Sequence, residues 1–283
     1  MKKFKALFFS FIPLFICLAI QIISAFNVLF LVSIFGLGSL ADETTFSTVT
    51  SILYSIVCIF LFGLWLKTKY IPSFKINLKE KIHPYEILGI ALLVPGTQFL
   101  SSIVTGIIAM IFPSWLDEYM ALLEQAGLTG NISFLMMLYS VALAPVCEEL
   151  VFRGVTMRIL ESAFPFWFAN IIQATLFGIF HLNPIQGCYT FVVGLFMGYI
   201  CKKGGTLYHA IFFHFLFNLW GTTASQWLIV EDAALQSLIV IVGTFVGLKY
   251  GIAYLKRGAI LKQPLIQEPE IIELDETKES REE

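Results

Sequence analysis

The chain has 283 residues, of which 58% are hydrophobic and only 13% charged, and its mean hydropathy is +0.82. A soluble domain carries about 25% charged residues, so this composition excludes a soluble globular protein and describes one that lives in a lipid bilayer. The net charge of -2 is small, and no basic patch with interleaved aromatics occurs, which excludes nucleic-acid partners.

In chain order, Met1-Lys2-Lys3-Phe4-Lys5 precedes a long apolar run, like the start of a secretory signal. The run continues past Phe35 without a small-x-small cleavage site, so it reads as a retained first span. A transmembrane helix needs about 20 apolar residues. On that measure eight spans are expected, at 8–36, 47–66, 87–112, 132–160, 165–182, 185–201, 206–229 and 234–255. The fifth and sixth are short, and one of them could be partly re-entrant.

Between the third and fourth spans, PSWLDEYMALLEQAGLTGN is either an ordinary connector or a short interfacial helix. In the second case Ser114 would cap it with Asp117 three residues on, and Gly127 would end it. Trp115, Leu116, Tyr119 and Leu123 would then face lipid. Gly243, Gly247 and Gly251, like Gly194 and Gly198, have the spacing of close helix packing. Residues 1–262 thus read as one membrane domain. The stretch 263–283, with eight acids, two bases and no apolar period, is expected to be a disordered tail.

Basic residues mark the cytoplasmic side of a membrane protein. They cluster before the first span, between the second and third, late in the fourth, after the sixth and around the end of the eighth. The alternate loops carry only acids: Asp42 and Glu43, then Asp117, Glu118 and Glu124, then Glu231 and Asp232. Both termini are therefore expected in the cytoplasm. His83, in the basic loop, has no assigned role, and His209 reads as interfacial. The five cysteines (Cys17, Cys58, Cys147, Cys188, Cys201) show no metal-ligand spacing and read as small buried thiols.

Polar groups inside spans are costly, and an ionisable residue there is a functional candidate. Most such groups fall into three motifs: Glu148-Glu149-x-x-x-Arg153, Phe177-x-x-x-His181 and His214-x-x-x-Asn218. Glu149 and Arg153 are four apart and stack on one helix face as an ion pair. Glu148, about 100° away around the helix, is left without a partner on its own helix. Two histidines, a carboxylate and an amide are the parts needed to activate water and to hold an oxyanion. Each motif alone has a plainer explanation, as hydrogen-bonded histidine, as helix glue or as chance.

Taken in order, EExxxR, FxxxH and HxxxN resemble the CPBP family of intramembrane proteases, which includes the CAAX prenyl endopeptidases of the Rce1 type and the bacterial Abi proteins. The matching core runs over about 130–230. The resemblance implies an all-α fold, a polytopic bundle of about eight transmembrane helices around an intramembrane catalytic cavity, open to the cytosol and laterally to the membrane. It implies that Glu148 and His181 activate a water and that His214 and Asn218 hold the oxyanion. Glu149 and Arg153 would be structural support, alongside Phe177. It further implies a membrane-associated protein or peptide substrate within a bacterial plasma membrane.

Depth fits this grouping loosely. At 1.5 Å per residue, Glu148 lies ~18 Å from the inner end of its helix, His214 ~12 Å and His181 ~24 Å. A tilted or broken fifth helix would be needed to bring the three together.

Three nucleophiles stay open: a metal-free water, for which no cofactor is expected; a zinc-bound water with Glu148, His181 and His214 as ligands, although no HExxH is present; and the Cys147 thiol beside Glu148. The rival functions are a non-catalytic peptide-binding or bacteriocin-immunity protein using the same cavity, and a proton-coupled transporter. The absence of an internal repeat argues against the transporter.

Overall fold

The computed structural model describes residues 2–36, 42–70, 82–224 and 230–262, and all regular structure among them is helical. In chain order the helices are α1 (Lys2–Phe35), α2 (Glu43–Lys69), α3 (Pro84–Ile111), α4 (Pro113–Gln125), α5 (Phe134–Glu161), α6 (Phe166–Phe180), α7 (Pro184–Gly204), α8 (Leu207–Leu219) and α9 (Ala233–Lys262). Six of them, α1, α2, α3, α5, α7 and α9, are long and apolar enough to cross a membrane. The chain is a polytopic helical membrane protein.

Six of the eight expected spans, all but the fifth and the seventh, are long helices among the described residues. The fifth is a helix of 15 residues, because Leu182 takes a left-handed φ of 55° and Asn183 then caps α7 ahead of Pro184. The seventh is α-helical only to Leu219, continues as a π-helical turn over Trp220–Ala224, and its expected last residues, 225–229, lie outside the described ones. The expected disordered tail at 263–283 and the basic residues at 75–81 also lie outside them.

Local chemistry sets the helix starts. Asp42 accepts a hydrogen bond from the Thr45 N–H at 2.9 Å and caps α2. His83, given no role from sequence, caps α3: its Nδ1 accepts from the Tyr85 N–H, and its own N–H donates to Glu86 at 2.8 Å. The expected Ser114 cap on α4 is not formed. Pro113 occupies the first helical position, where its fixed φ suits a helix start, so the helix begins two residues earlier than a Ser114 cap would give and Ser114 lies inside it. Gly127, with a φ of 67°, does end α4. The Leu128 N–H reaches Leu123 O and the Gly127 N–H reaches Glu124 O, both at 2.9 Å. The stripe of Leu116, Tyr119 and Leu123 turns to the protein and lines its cavity rather than facing lipid.

Successive spans run antiparallel, so their ends sort onto two faces. α3 and α9 pack with backbone touching backbone: a Cβ placed on Gly247 would lie 2.7 Å from Gly96 Cα. On one face, Lys202 pairs with Glu161 at 2.7 Å, and Lys262 reaches Glu86 and Gly204 O, each at 2.8 Å. Arg158 lies over the Tyr70 ring there. His209 is buried at this basic face rather than interfacial, between Thr206 Oγ1 at 2.7 Å and Glu86 Oε2 at 3.2 Å. Tyr119 meets Tyr189, and Gly127 meets Thr44, on the opposite face, where α2 begins and α4 lies. That face carries Asp42, Glu43, Asp117, Glu118, Glu124, Glu231 and Asp232.

Candidate active site

α5 carries the first motif in an unusual backbone. π-helical turns at Tyr139–Leu143 and Leu150–Thr156 flank a short α segment, Ala144–Glu149. Such turns interrupt the α-helical bond ladder and recur at functional sites. In the first turn the Ala144 N–H bonds Tyr139 O, five residues back. The next bond in that register would run from residue 145 to Ser140 O, but Pro145 has no N–H. The orphaned Ser140 carbonyl accepts instead from Asn218 Nδ2, at 2.7 Å. Proline in α5 thereby fixes an amide in α8. Gln98 adds a second hold on α8, donating to Phe217 O at 2.6 Å.

Glu149 is fully buried and does more than pair with Arg153. Its Oε1 accepts from Arg153 Nη1 at 2.9 Å and also meets His214 Nδ1 at 2.9 Å. Beside a buried arginine the carboxylate is acceptor-only, which assigns the proton of that bond to Nδ1. The other ring nitrogen, Nε2, then faces Glu148 Oε2 at 3.8 Å. The two neighbouring glutamates, though they diverge around their helix, thus meet the two nitrogens of one imidazole. Neutral His214 offers a lone pair on Nε2; as imidazolium it offers an N–H, with a carboxylate on either side.

His181 is fixed in the same manner. Its backbone N–H turns to Gly178 O at 3.3 Å, and its Nδ1 meets Phe177 O at 2.9 Å. A carbonyl only accepts, so Nδ1 carries the proton and Nε2 is left as an acceptor. Phe177 is the hub of the site. The Arg153 guanidinium lies 4.5 Å from its ring centroid, His181 stands edge-on at 4.9 Å and His214 at 6.0 Å. Cation–π contact and edge-to-face packing hold the three motifs together through one aromatic ring.

A cavity of about 970 Å³ is lined by Glu148, Phe177, His181, His214 and Asn218, so all four expected catalytic residues meet one space. The broken fifth helix needed by the depths is the short α6, which ends at His181. The cavity reaches the surface beside Glu43 and Gln125, on the acidic face, and not among the basic ends.

Sequence reading missed Ser140, and it missed a network that supports Arg153. Gln173 Nε2 donates to Gly194 O at 3.0 Å and to Asn170 Oδ1, and Arg153 Nη2 donates to the same Gly194 O at 3.1 Å. A signal was present: two amides three apart in an otherwise apolar helix are costly unless bonded.

Cys147 is buried and does not line the cavity; its sulfur lies with those of Cys17 and Cys58, brought in from α1 and α2. Zinc, as the second nucleophile option, meets a geometric obstacle. Oxygen and nitrogen ligands sit about 2.0–2.2 Å from zinc, and so within about 3.6 Å of one another. Among the described residues, the His, Cys, Asp or Glu trio whose donor atoms lie within 4.8 Å of one another is Cys17, Cys58 and Cys147. Glu148, His181 and His214 are not gathered to that degree, and as they stand they do not fit a metal.

The helical membrane fold, with its carboxylate–imidazole pair inside the bundle, defines a polytopic protein with a polar site at membrane depth. Residues 130–220 match a family described as Rce1-like, type II CAAX prenyl endopeptidase Rce1-like, and this stretch is an Rce1-like domain of the CPBP family. The matched span contains Glu148, Glu149, Arg153, Phe177, His181, His214 and Asn218. No curated protein and no solved structure matches the chain.

Proposed function

We propose that the chain is an intramembrane endopeptidase that hydrolyses a peptide bond with a metal-free water. The observation that carries this reading is His214, held by Glu149 at 2.9 Å so that its other nitrogen faces Glu148 at 3.8 Å across the cavity. Membership of residues 130–220 in a peptidase family supports it.

In this reading Glu148 is the base. A water oxygen attacks the substrate carbonyl carbon while its proton passes to the Glu148 carboxylate, and the Nε2 acceptor of His181 helps hold that water. The carbonyl oxygen becomes an oxyanion. His214, protonated on Nε2, and the second amide hydrogen of Asn218 donate to it; the first is committed to Ser140 O. Collapse of the tetrahedral species breaks the C–N bond, and Glu148 returns its proton to the leaving amine. Water and peptide give one acid and one amine. Arg153 pairs with Glu149 at 2.9 Å, and Glu149 keeps the His214 ring turned.

The test is a comparison of protein C-termini in membranes from cells making wild-type chain, the Glu148→Gln variant or neither. New C-termini that appear with wild type alone are expected. Identical termini in all three samples would remove the enzyme and leave the peptide-binding or immunity reading of the same cavity.

A further inference from the structure

The cavity has a floor, a mouth and a sign of charge. Its floor is at mid-bundle, where Glu148, Met197 and His214 lie. His214 and Met197 are each seven residues from the basic-face end of their helices, about 10 Å at 1.5 Å per residue. Phe152, Arg153, Val155, Ile200 and Phe213 fill that interval, and all are buried. The remaining lining extends the other way: Glu43, Gln98, Tyr119, Ser140, Gln186 and Thr222 each lie in the half of their helix, or in the helix, that belongs to the acidic face.

Among the described residues at that face, 36, 42–43, 112–133, 182–186, 220–224 and 230–233, no Lys or Arg occurs. Seven carboxylates therefore lie at the face onto which the cavity opens, and one of them, Glu43, is part of its lining. Basic ends stay in the cytoplasm, so the face that lacks them is the translocated one.

The geometry points to a substrate that enters from the extracytoplasmic face, as an extended polypeptide segment carrying lysines or arginines near the site of entry. This rests on the endopeptidase reading for its chemistry, but not for its route. From Phe134, at the mouth end of α5, to Glu148 is 14 residues, or about 21 Å. An extended chain advances about 3.3 Å per residue, so roughly six residues span the distance. The basic residues stay at the carboxylate rim, and the bond about six residues further in reaches Glu148. Charge at the scissile bond itself is disfavoured at that depth.

Ser47→Cys and, separately, Thr105→Cys, both on the lining and outside the catalytic set, report the route without catalysis. Right-side-out and inverted membrane vesicles are treated with a membrane-impermeant maleimide, with the wild-type chain as background. Labelling of either variant in right-side-out vesicles, absent in sealed inverted ones, is expected; labelling of both in inverted vesicles alone overturns the route. A synthetic twelve-residue peptide (a probe length, about twice the span above) with lysines at one end and an apolar other end should protect the cysteine. It should do so at about tenfold lower concentration than a glutamate-ended copy, with the gap closing at high salt. Equal protection by both peptides overturns the charge preference. A lysine peptide that protects but is not cleaved by the otherwise wild-type site would sink the endopeptidase reading while leaving the route standing.

Discussion

Glu149→Gln tests how the site is built. The substitution keeps an oxygen that can accept from Arg153 Nη1 and His214 Nδ1, both now at 2.9 Å, and removes only the charge. Arg153 is 1% exposed and has Phe177 on one side, so its cation is left in a low-dielectric site without a counterion. Breaking a buried pair from one side costs roughly 3–5 kcal/mol. Against a total stability of about 5–15 kcal/mol, that is about a fifth or more of what keeps a domain folded. The expected outcome is a sharp fall in membrane abundance, and in the unfolding free energy of detergent-purified protein measured by denaturant titration. The double variant Glu149→Gln/Arg153→Met removes both charges and should recover most of the loss, because a neutral pair leaves no buried ion uncompensated. It should not recover cleavage, since His214 Nδ1 no longer meets a carboxylate. A single variant within about 1 kcal/mol of wild type, which is the ordinary effect of a point substitution, would refute the argument.

Glu148→Gln should behave in the opposite way, with normal abundance and no cleavage, because Glu148 bears on the cavity and 3.8 Å separates it from its nearest ionic neighbour, His214. Loss of protein equal to that of Glu149→Gln would end the division of labour. Asn218→Ala should lower turnover by about 10²–10³, the usual effect of removing one oxyanion donor. Adding Pro145→Ala, which restores an N–H to the register of Ser140 O, should improve stability of that variant in a thermal melt but not its rate. Phenanthroline treatment and Cys147→Ala should each leave the activity of purified protein intact. Loss on chelation with recovery on zinc would instead require Glu148, His181 and His214 to close up around a metal.

What was legible in the sequence were features that repeat along one helix. The i, i+4 pair Glu149–Arg153 is present as spacing dictates, and the glycines at 243, 247 and 251 mark the close contact with α3. The order of the three motifs also sufficed to find the family domain, and all four expected catalytic residues line one cavity. Helix length was less legible. Hydropathy continues through Leu182 and past Leu219, but backbone events end or rephase the helices there: a left-handed φ in one case and a π-helical turn in the other. Neither leaves a trace in an apolar average.

Contacts between helices were the part hidden from one-dimensional reading. Glu149 and His214 are 65 residues apart, and Asn218 and Ser140 are 78 apart. A partner at such distance is chosen by packing, and spacing within either helix says nothing of it. Yet the chemistry leaves a residue of information. A buried ion needs its counterion and a carbonyl orphaned by proline needs a donor, so each unsatisfied group in α5 demands a polar group from elsewhere in the bundle. The chain offers few, and His214 and Asn218 are two of them. The same reasoning extends to Asn170 and Gln173, whose amides have no use facing lipid and are turned onto the backbone of α7 beside Arg153. In a membrane bundle, where apolar surface no longer distinguishes inside from outside, it is this short inventory of polar groups that selects which helix faces meet.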